Sequence, residues 1–222
     1  MSTYVLMRIL ESAPRRYEIG IRLLTLGQIE KAYDRLASHI EHGQHVLDLG
    51  CGTGALALRA ARQGAKVKGI DVNAQMLEIA GQRVQEAGLT EAVDLMEIGV
   101  AELNKEETES YDTVTSGLCF SELSEDELIY TLKHIARILK PGGLLLVADE
   151  VKPQTLFRRL VHSLITAPLV ILTYVITQQT THPTMNLSDK LMDGGLSIVS
   201  VNSDILRSFS EFVARKPAGA SR

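Results

Sequence analysis

Asp48 directly precedes a stretch in which every second residue is glycine, at Gly50, Gly52 and Gly54. The apolar run 45–47 before it is typical of a short buried strand, and the residues from Ala55 onward are typical of a helix. A tight strand-to-helix turn made of glycine lets the backbone approach a ligand closely. The pattern therefore predicts a binding turn for a nucleotide-like cofactor, with a carboxylate beside it.

Two classes of cofactor fit this spacing. The residues Gly50-x-Gly52-x-x-Ala55 also satisfy the dinucleotide fingerprint, with Asp71 about twenty residues on to accept hydrogen bonds from ribose hydroxyls. A pyrophosphate at the helix N-terminus would be repelled by Asp48, whereas the ammonium and sulfonium groups of S-adenosylmethionine (SAM) would be attracted. Charge therefore favours SAM over a nicotinamide dinucleotide, and a ligand-free turn is the structural alternative.

Composition narrows the function classes. A chain of 222 residues with 45% hydrophobic residues suits one α/β domain with additions, and a net charge of -4 argues against a nucleic-acid surface. The two cysteines, Cys51 and Cys119, are too few for a disulfide framework, and we expect small packing residues there rather than a metal or redox site. Residues 1–20 contain no signal-peptide core, so we expect a cytoplasmic protein.

Alternating strand and helix patterns position these residues. They predict an α/β fold with a doubly wound, mostly parallel, Rossmann-like sheet of seven strands, an N-terminal helical cap over 1–42, and one domain over 43–216. The predicted strands span 45–50, 65–70, 93–98, 111–116, 144–148, 196–201 and 206–214. Predicted helices span 53–63 and 73–87, and a further helix opens with a capping box from Ser124 to Glu127. Ligands of such sheets bind at the carboxyl ends of the strands, where the motif residues lie.

The segment 156–176 is strongly apolar, and residues 160–176 contain no Lys, Arg, Asp or Glu. A membrane span is disfavoured because Pro168 interrupts a run at the lower edge of the about 17 to 25 residues required. One face of the segment has the spacing of ordinary core packing. We expect residues 155–185 to form a helical insertion and lid over an apolar acceptor, with a partner protein or peripheral contact with a bilayer as alternatives.

Three motifs resemble class I SAM-dependent methyltransferases, over about residues 30–150: 46–54, Gly69-Ile-Asp71 and 139–144. The resemblance implies that Asp48 to Gly54, including Gly50, Cys51 and Gly52, hold the methionine end and that Asp71 holds the ribose. It further implies that Val72 and Met76 contact the adenine and that Gly117 and Leu118 form the floor beneath the sulfonium. Tyr33 would be the N-terminal aromatic contact. Family members often carry an acid where this chain has Val100, so we expect backbone at Val100 and Ala101 to hold the adenine edge.

Residues 1–14 and 178–183 are similar to the corrinoid protein-associated methyltransferases. This similarity implies a corrinoid protein as a partner. The alternative function is therefore a non-catalytic SAM-binding protein that docks on a corrinoid protein through 156–176. A nicotinamide-dependent oxidoreductase is the third possible function.

Methyl transfer from a sulfonium requires alignment of donor and acceptor and exclusion of water. A general base is needed only if the acceptor is a hydroxyl or a protonated amine. We expect Glu150 and His182 to be the catalytic candidates, ahead of Glu122, His162 and Tyr174, although each also has a plain structural role open to it. The sequence thus predicts a SAM-dependent methyltransferase for a small, apolar or cofactor-like acceptor.

Overall fold

The computed structural model describes residues 28–150, 186–203 and 209–218. Its helices are α1 (Gln28–Ala37), α2 (Ala55–Arg62), α3 (Ala74–Glu86), α4 (Glu125–Ile138) and α5 (Leu187–Asp193). Its strands are β1 (His45–Leu49), β2 (Lys66–Asp71), β3 (Val93–Glu97), β4 (Tyr111–Gly117), β5 (Leu139–Glu150), β6 (Ser197–Ser203) and β7 (Phe209–Arg215). Two short 3₁₀ helices, Val100–Lys105 and Phe120–Glu122, follow β3 and β4.

The strands form one seven-stranded sheet in the order β3-β2-β1-β4-β5-β7-β6. All neighbours pair in parallel except β7, which pairs antiparallel with both β5 and β6. The predicted mostly parallel, Rossmann-like sheet is therefore confirmed. The strand order reverses between β1 and β4, and a crevice opens at this point, outside the carboxyl ends of the strands.

Helices cover both faces of the sheet, so β1 is buried on its two sides. Val46 packs in the cluster that includes residues of α1 and α2, whereas Leu47 and Leu49 pack in a second cluster with Ile135 of α4. A strand buried on both faces is expected to be apolar at successive positions. Packing on both faces therefore fixes the position of β1 and of the glycine turn that follows it.

Helix caps predicted from the sequence are present. The Ser124 side chain accepts the Glu127 N–H at 3.3 Å, and Glu127 Oε2 accepts the Ser124 N–H at 2.9 Å, which is the reciprocal capping box. Asn73 Oδ1 accepts the N–H groups of Gln75 and Met76 at 3.0 and 3.2 Å. These caps fix the start of α4 and of α3 beside the carboxyl edge of the sheet.

Some boundaries differ from the sequence pattern. β5 begins at Leu139 rather than 144, because Leu139 pairs with Tyr111 and the residues up to Leu144 bulge out of the ladder before pairing resumes at Thr113. Within the described part of the chain, no helix is long and apolar enough to cross a membrane. The predicted lid over 155–185, which contains the apolar segment 156–176, lies outside the described residues. So do residues 1–27 of the predicted cap over 1–42, and the domain boundaries therefore stay predictions.

Candidate functional site

The glycine turn after β1 depends on left-handed backbone. Gly50, Gly52 and Gly54 have φ values of 62°, 53° and 80°, a region that residues with a Cβ adopt only at a cost. At Gly50 a Cβ would also lie 2.7 Å from the Cβ of Cys119, so the turn and the loop after β4 are in close contact. Glycine is therefore required here by backbone conformation and, at Gly50, by packing.

Asp71 closes the other side of this turn. Its Oδ2 accepts the Gly52 N–H and its Oδ1 accepts the Asn73 N–H, both at 2.8 Å. Burial raises the pKa of Asp71, and the N–H groups of Asn73, Gly52 and Val72 oppose that rise. Each carboxylate oxygen has a further lone pair, so a fixed acceptor pair is presented at the end of β2.

Asp48 lies beneath the turn rather than on its open side. It is 1% exposed, its Oδ1 accepts the Thr115 hydroxyl at 2.7 Å, and its Oδ2 has no hydrogen-bond partner. Burial raises the pKa of Asp48 to about 7, against the opposing effects of Thr115 and the Ala57 amide. A carboxyl group with a pKa of about 7 is ionised only in part at neutral pH, and a cationic ligand above the turn would favour its ionised form.

A cavity of about 440 Å³ lies along the carboxyl ends of β1, β2 and β4. Its walls include many of the residues singled out in the sequence: Gly50, Gly52, Asp71, Val72, Met76, Val100, Ala101, Gly117 and Leu118. Val72, directly after β2, is 74% exposed and is therefore accessible to a ligand in this cavity. A volume of this size suits a nucleoside-sized ligand.

A smaller cavity of about 40 Å³ adjoins the first and shares its glycine wall. Its walls include Tyr33, Glu30 and Cys51. Tyr33 is 8% exposed, and a Cβ on Gly117 would overlap its hydroxyl, so α1 closes directly onto the end of β4. Tyr33, the predicted N-terminal aromatic contact, therefore lies at the carboxyl ends of the strands with the other candidates.

Arg59 fastens α1 to α2 beside the smaller cavity. Its Nε donates to Asp34 Oδ1 at 2.7 Å, another guanidinium nitrogen pairs with Glu30, and a third donates to the Ala55 carbonyl at 3.0 Å. The guanidinium also lies 5.8 Å from the centre of the Tyr33 ring. One side chain thus positions both polar and aromatic residues of α1.

Several sequence candidates lie elsewhere or cannot be placed. Gly54 starts α2 and, with Asp48, lines neither cavity. Glu150 ends β5, but its side chain is outside the described residues, as is the whole of His182. Among the described residues, no group of three or more His, Cys, Asp and Glu side chains could hold a metal ion. Burial raises the pKa of both free thiols, Cys51 and Cys119, which keeps them neutral.

The loop between β4 and α4 contributes walls that sequence reasoning underused. Cys119, Glu122, Leu123 and Glu127 all line the larger cavity. The sequence indicates Glu122 as a base or as a residue near a helix cap, and not as part of a cofactor wall. The capping box is the local signal that α4 starts beside the site. Asp149 was missed, although its Oδ2 accepts the N–H groups of Phe120 and Ser121 at 2.7 and 3.2 Å.

Comparison with known proteins gives the class. Residues 46–143 match a family described as Methyltransferase domain. The chain is similar to demethylmenaquinone methyltransferase of Symbiobacterium thermophilum, with 32% identity over 148 residues, covering 64% of this chain and 58% of that protein. It is also similar to ubiquinone biosynthesis O-methyltransferase of Paracidovorax citrulli, with 39% identity over 101 residues, covering 46% and 41%. The chain thus spans about half the length of these curated relatives.

The fold comparison agrees. A solved structure of geranyl diphosphate methyltransferase in complex with SAM superposes with a TM-score of 0.65 at 17% identity, covering 90% of each chain. Residues 46–143 therefore form a class I SAM-dependent methyltransferase domain, and SAM is the cofactor of that class, as the sequence predicts. The names of these relatives do not mention corrinoids, so a corrinoid protein as partner stays a prediction.

Proposed function

We propose that this chain transfers the methyl group of SAM to a small, apolar or cofactor-like acceptor. The observation that carries the proposal is the charge of the two cavities. Their walls include the acids Asp71, Glu122 and Glu127, together with Glu30, whose charge is paired with Arg59. Among the described residues, no Lys, Arg or His lines either cavity. Such walls repel the pyrophosphate of a dinucleotide and attract an ammonium or sulfonium group.

Individual residues suit particular parts of the cofactor. Asp71 would accept hydrogen bonds from the ribose hydroxyls, with its two oxygens already oriented by backbone N–H groups. Val72 and Met76 would flank the adenine, with backbone at Val100 and Ala101 along its edge and Gly117 with Leu118 as the floor beneath the sulfonium. The methionine end would lie at the smaller cavity, among Tyr33, Gly50, Cys51 and Gly52, above Asp48 and the start of α2 at Gly54.

When bound, SAM supplies a methyl group that an acceptor lone pair takes as the sulfur–carbon bond breaks, leaving S-adenosylhomocysteine. The chain's own residues hold the ligand at the strand ends, keep an anionic field around the positive charge and exclude water. An acceptor hydroxyl must also lose a proton. Glu122 lies on the wall of the larger cavity and could accept this proton. Glu150 and His182 remain the candidates for a general base that the sequence predicts.

The relatives suggest which acceptor to test first. One is named demethylmenaquinone methyltransferase and another ubiquinone biosynthesis O-methyltransferase, so we propose an isoprenoid quinol or its phenolic precursor as the acceptor. Such an acceptor is apolar apart from its ring oxygens, in keeping with the composition of 156–176. A non-catalytic SAM-binding partner of a corrinoid protein is the outcome to infer if the cofactor binds but no methyl group reaches the quinol or any other acceptor offered.

Calorimetry with S-adenosylhomocysteine, SAM and NAD tests the cofactor, and transfer of a labelled methyl group to a demethylated quinol tests the activity. We expect the two sulfur ligands to bind, NAD to give no heat, and label to appear in the quinol. Tight binding of NAD instead of S-adenosylhomocysteine would overturn the proposal. Failure with the quinol alone would redirect the search to other acceptors presented to the same site.

A further inference from the structure

Asp149 is a buried acid outside the glycine turn that the proposed chemistry leaves unassigned. It is the second-last residue of β5, and its side chain is 0% exposed. Its Oδ2 accepts the N–H of Phe120 at 2.7 Å and that of Ser121 at 3.2 Å. Burying a carboxylate costs free energy unless donors compensate for the lost water, and these two backbone amides do so.

Both amides belong to the loop 118–123, which connects β4 to the cap of α4. Leu118 opens this loop with φ of 58°, a left-handed conformation that is strained for a residue with a branched side chain. The Leu118 N–H donates to the Ala148 carbonyl at 2.8 Å, one residue before Asp149. The end of β5 therefore holds the loop at two successive positions.

The held loop forms one wall of the larger cavity. Leu118, Cys119, Glu122 and Leu123 all line it, and the backbone of Phe120 and Ser121 lies between them. A strained conformation persists only where neighbouring contacts enforce it. Release of the two amides from Asp149 would therefore let this wall relax away from the ligand position.

We propose that Asp149 is a positioning residue of the cofactor site, which acts by fixing the loop 118–123 against the ligand. The inference rests on the proposed function in that the ligand is SAM or its demethylated product. Asp149 itself lines neither cavity and acts through Leu118 and Glu122. Its effect is on the shape of the wall rather than on the reacting atoms.

Calorimetry with S-adenosylhomocysteine on Asp149→Ala and Asp149→Asn tests the effect on the ligand. We expect about tenfold weaker binding for the Ala variant, since hydrogen bonds to a charged group are lost, and a smaller loss for Asn, whose carbonyl still accepts one bond. Asp112→Ala is the matched control. Asp112 likewise accepts a backbone N–H, that of His45 at 2.9 Å, but at the amino ends of the strands and away from both cavities. The Asp112→Ala substitution should lower the thermal stability and leave the affinity for S-adenosylhomocysteine unchanged.

Hydrogen exchange read by mass spectrometry tests the loop directly. The amides of Phe120 and Ser121 should exchange at least about tenfold faster in Asp149→Ala, while those of β5 and α4 keep their protection. Equal loss of affinity in the Asp149 and Asp112 variants, or unchanged exchange in the loop, would overturn the inference. If the Ala variant does not fold, the Asn variant gives both readouts. Failure of the wild-type protein to bind S-adenosylhomocysteine would refute the proposed function, while the exchange result would still decide whether Asp149 fixes the loop.

Discussion

The carboxylate of Asp71 accepts the backbone N–H of Gly52 at 2.8 Å, across 19 positions of the chain. The end of β2 is thereby tied to the glycine turn after the adjacent strand, β1. The other oxygen of Asp71 accepts the Asn73 N–H at the start of α3. One acid thus sets the spacing between the turn and the first residues of α3 that line the larger cavity.

Asp71→Ala should weaken binding of S-adenosylhomocysteine about tenfold or more. Hydrogen bonds to a charged group contribute roughly 1.5 to 3 kcal/mol each, and the ribose hydroxyls would lose theirs. Calorimetry measures the effect. Asp94→Ala, which removes an exposed acid from the neighbouring strand β3, is the control and should bind as the wild type does. Unchanged affinity in a folded Asp71→Ala protein would refute the ribose assignment.

Gly52→Ala should abolish most cofactor binding, whereas Gly88→Ala should not affect it. Both glycines have positive φ, 53° and 67°, and neither has an atom within 4 Å of an added Cβ. Each variant should therefore lose stability to a similar extent, about 1 to 2 kcal/mol, from the left-handed backbone alone. Of the two, only Gly52 lines the cavities, so only its added methyl group should interfere with a ligand there. Urea unfolding and calorimetry on the pair separate the two effects, and equal affinities would show that no ligand lies against Gly52.

Asp48 should make the stability of the ligand-free protein depend on pH. Its pKa rises from an ordinary 3.8 to about 7 on burial, so its contribution to stability is complete below pH 4 and is lost as pH rises through 7. The free energy of unfolding of the wild type should fall relative to that of Asp48→Asn over this window, by at most about 4 kcal/mol. Urea unfolding from pH 4 to 8 measures the difference. Asp126→Asn removes an exposed acid and should show no such trend; a constant difference for Asp48→Asn would contradict the argument.

Arg59→Ala should loosen α1 and weaken binding of S-adenosylhomocysteine about threefold. The ion pairs with Glu30 and Asp34 are partly exposed, so each contributes little alone, but together they hold Tyr33 over the smaller cavity. Added salt should narrow the gap between variant and wild type because it screens the same pairs. Lys140→Ala breaks a pair with Asp112 at the amino ends of the strands and serves as the control. A loss of stability without a change in affinity would mean that α1 has no part in binding.

The parts of the site that sequence predicted are those with local signals. The glycine turn, Asp71 and the capping box at Ser124 are each defined by a few consecutive residues, and the sheet follows from periodicity. The burial of Asp48 was not predictable because its partner, Thr115, is 67 positions away. Sequence also singled out Glu150 and overlooked Asp149. The face of the sheet on which a strand residue lies depends on register, and a shift of one residue reverses it, so the burial of Asp149 could not be read from the sequence.

The bond from Arg35 to Glu211 spans 176 positions and joins α1 to β7. The helix that carries Tyr33 gains this anchor only once β7 has paired with β5, a contact between distant parts of the chain that forms slowly. The pairing of β7 with β5 and the placement of α1 beside the smaller cavity are therefore linked through this contact. Removal of β7 would take one anchor from α1, while the contacts of Arg59 with Glu30 and Asp34 would still hold this helix against α2.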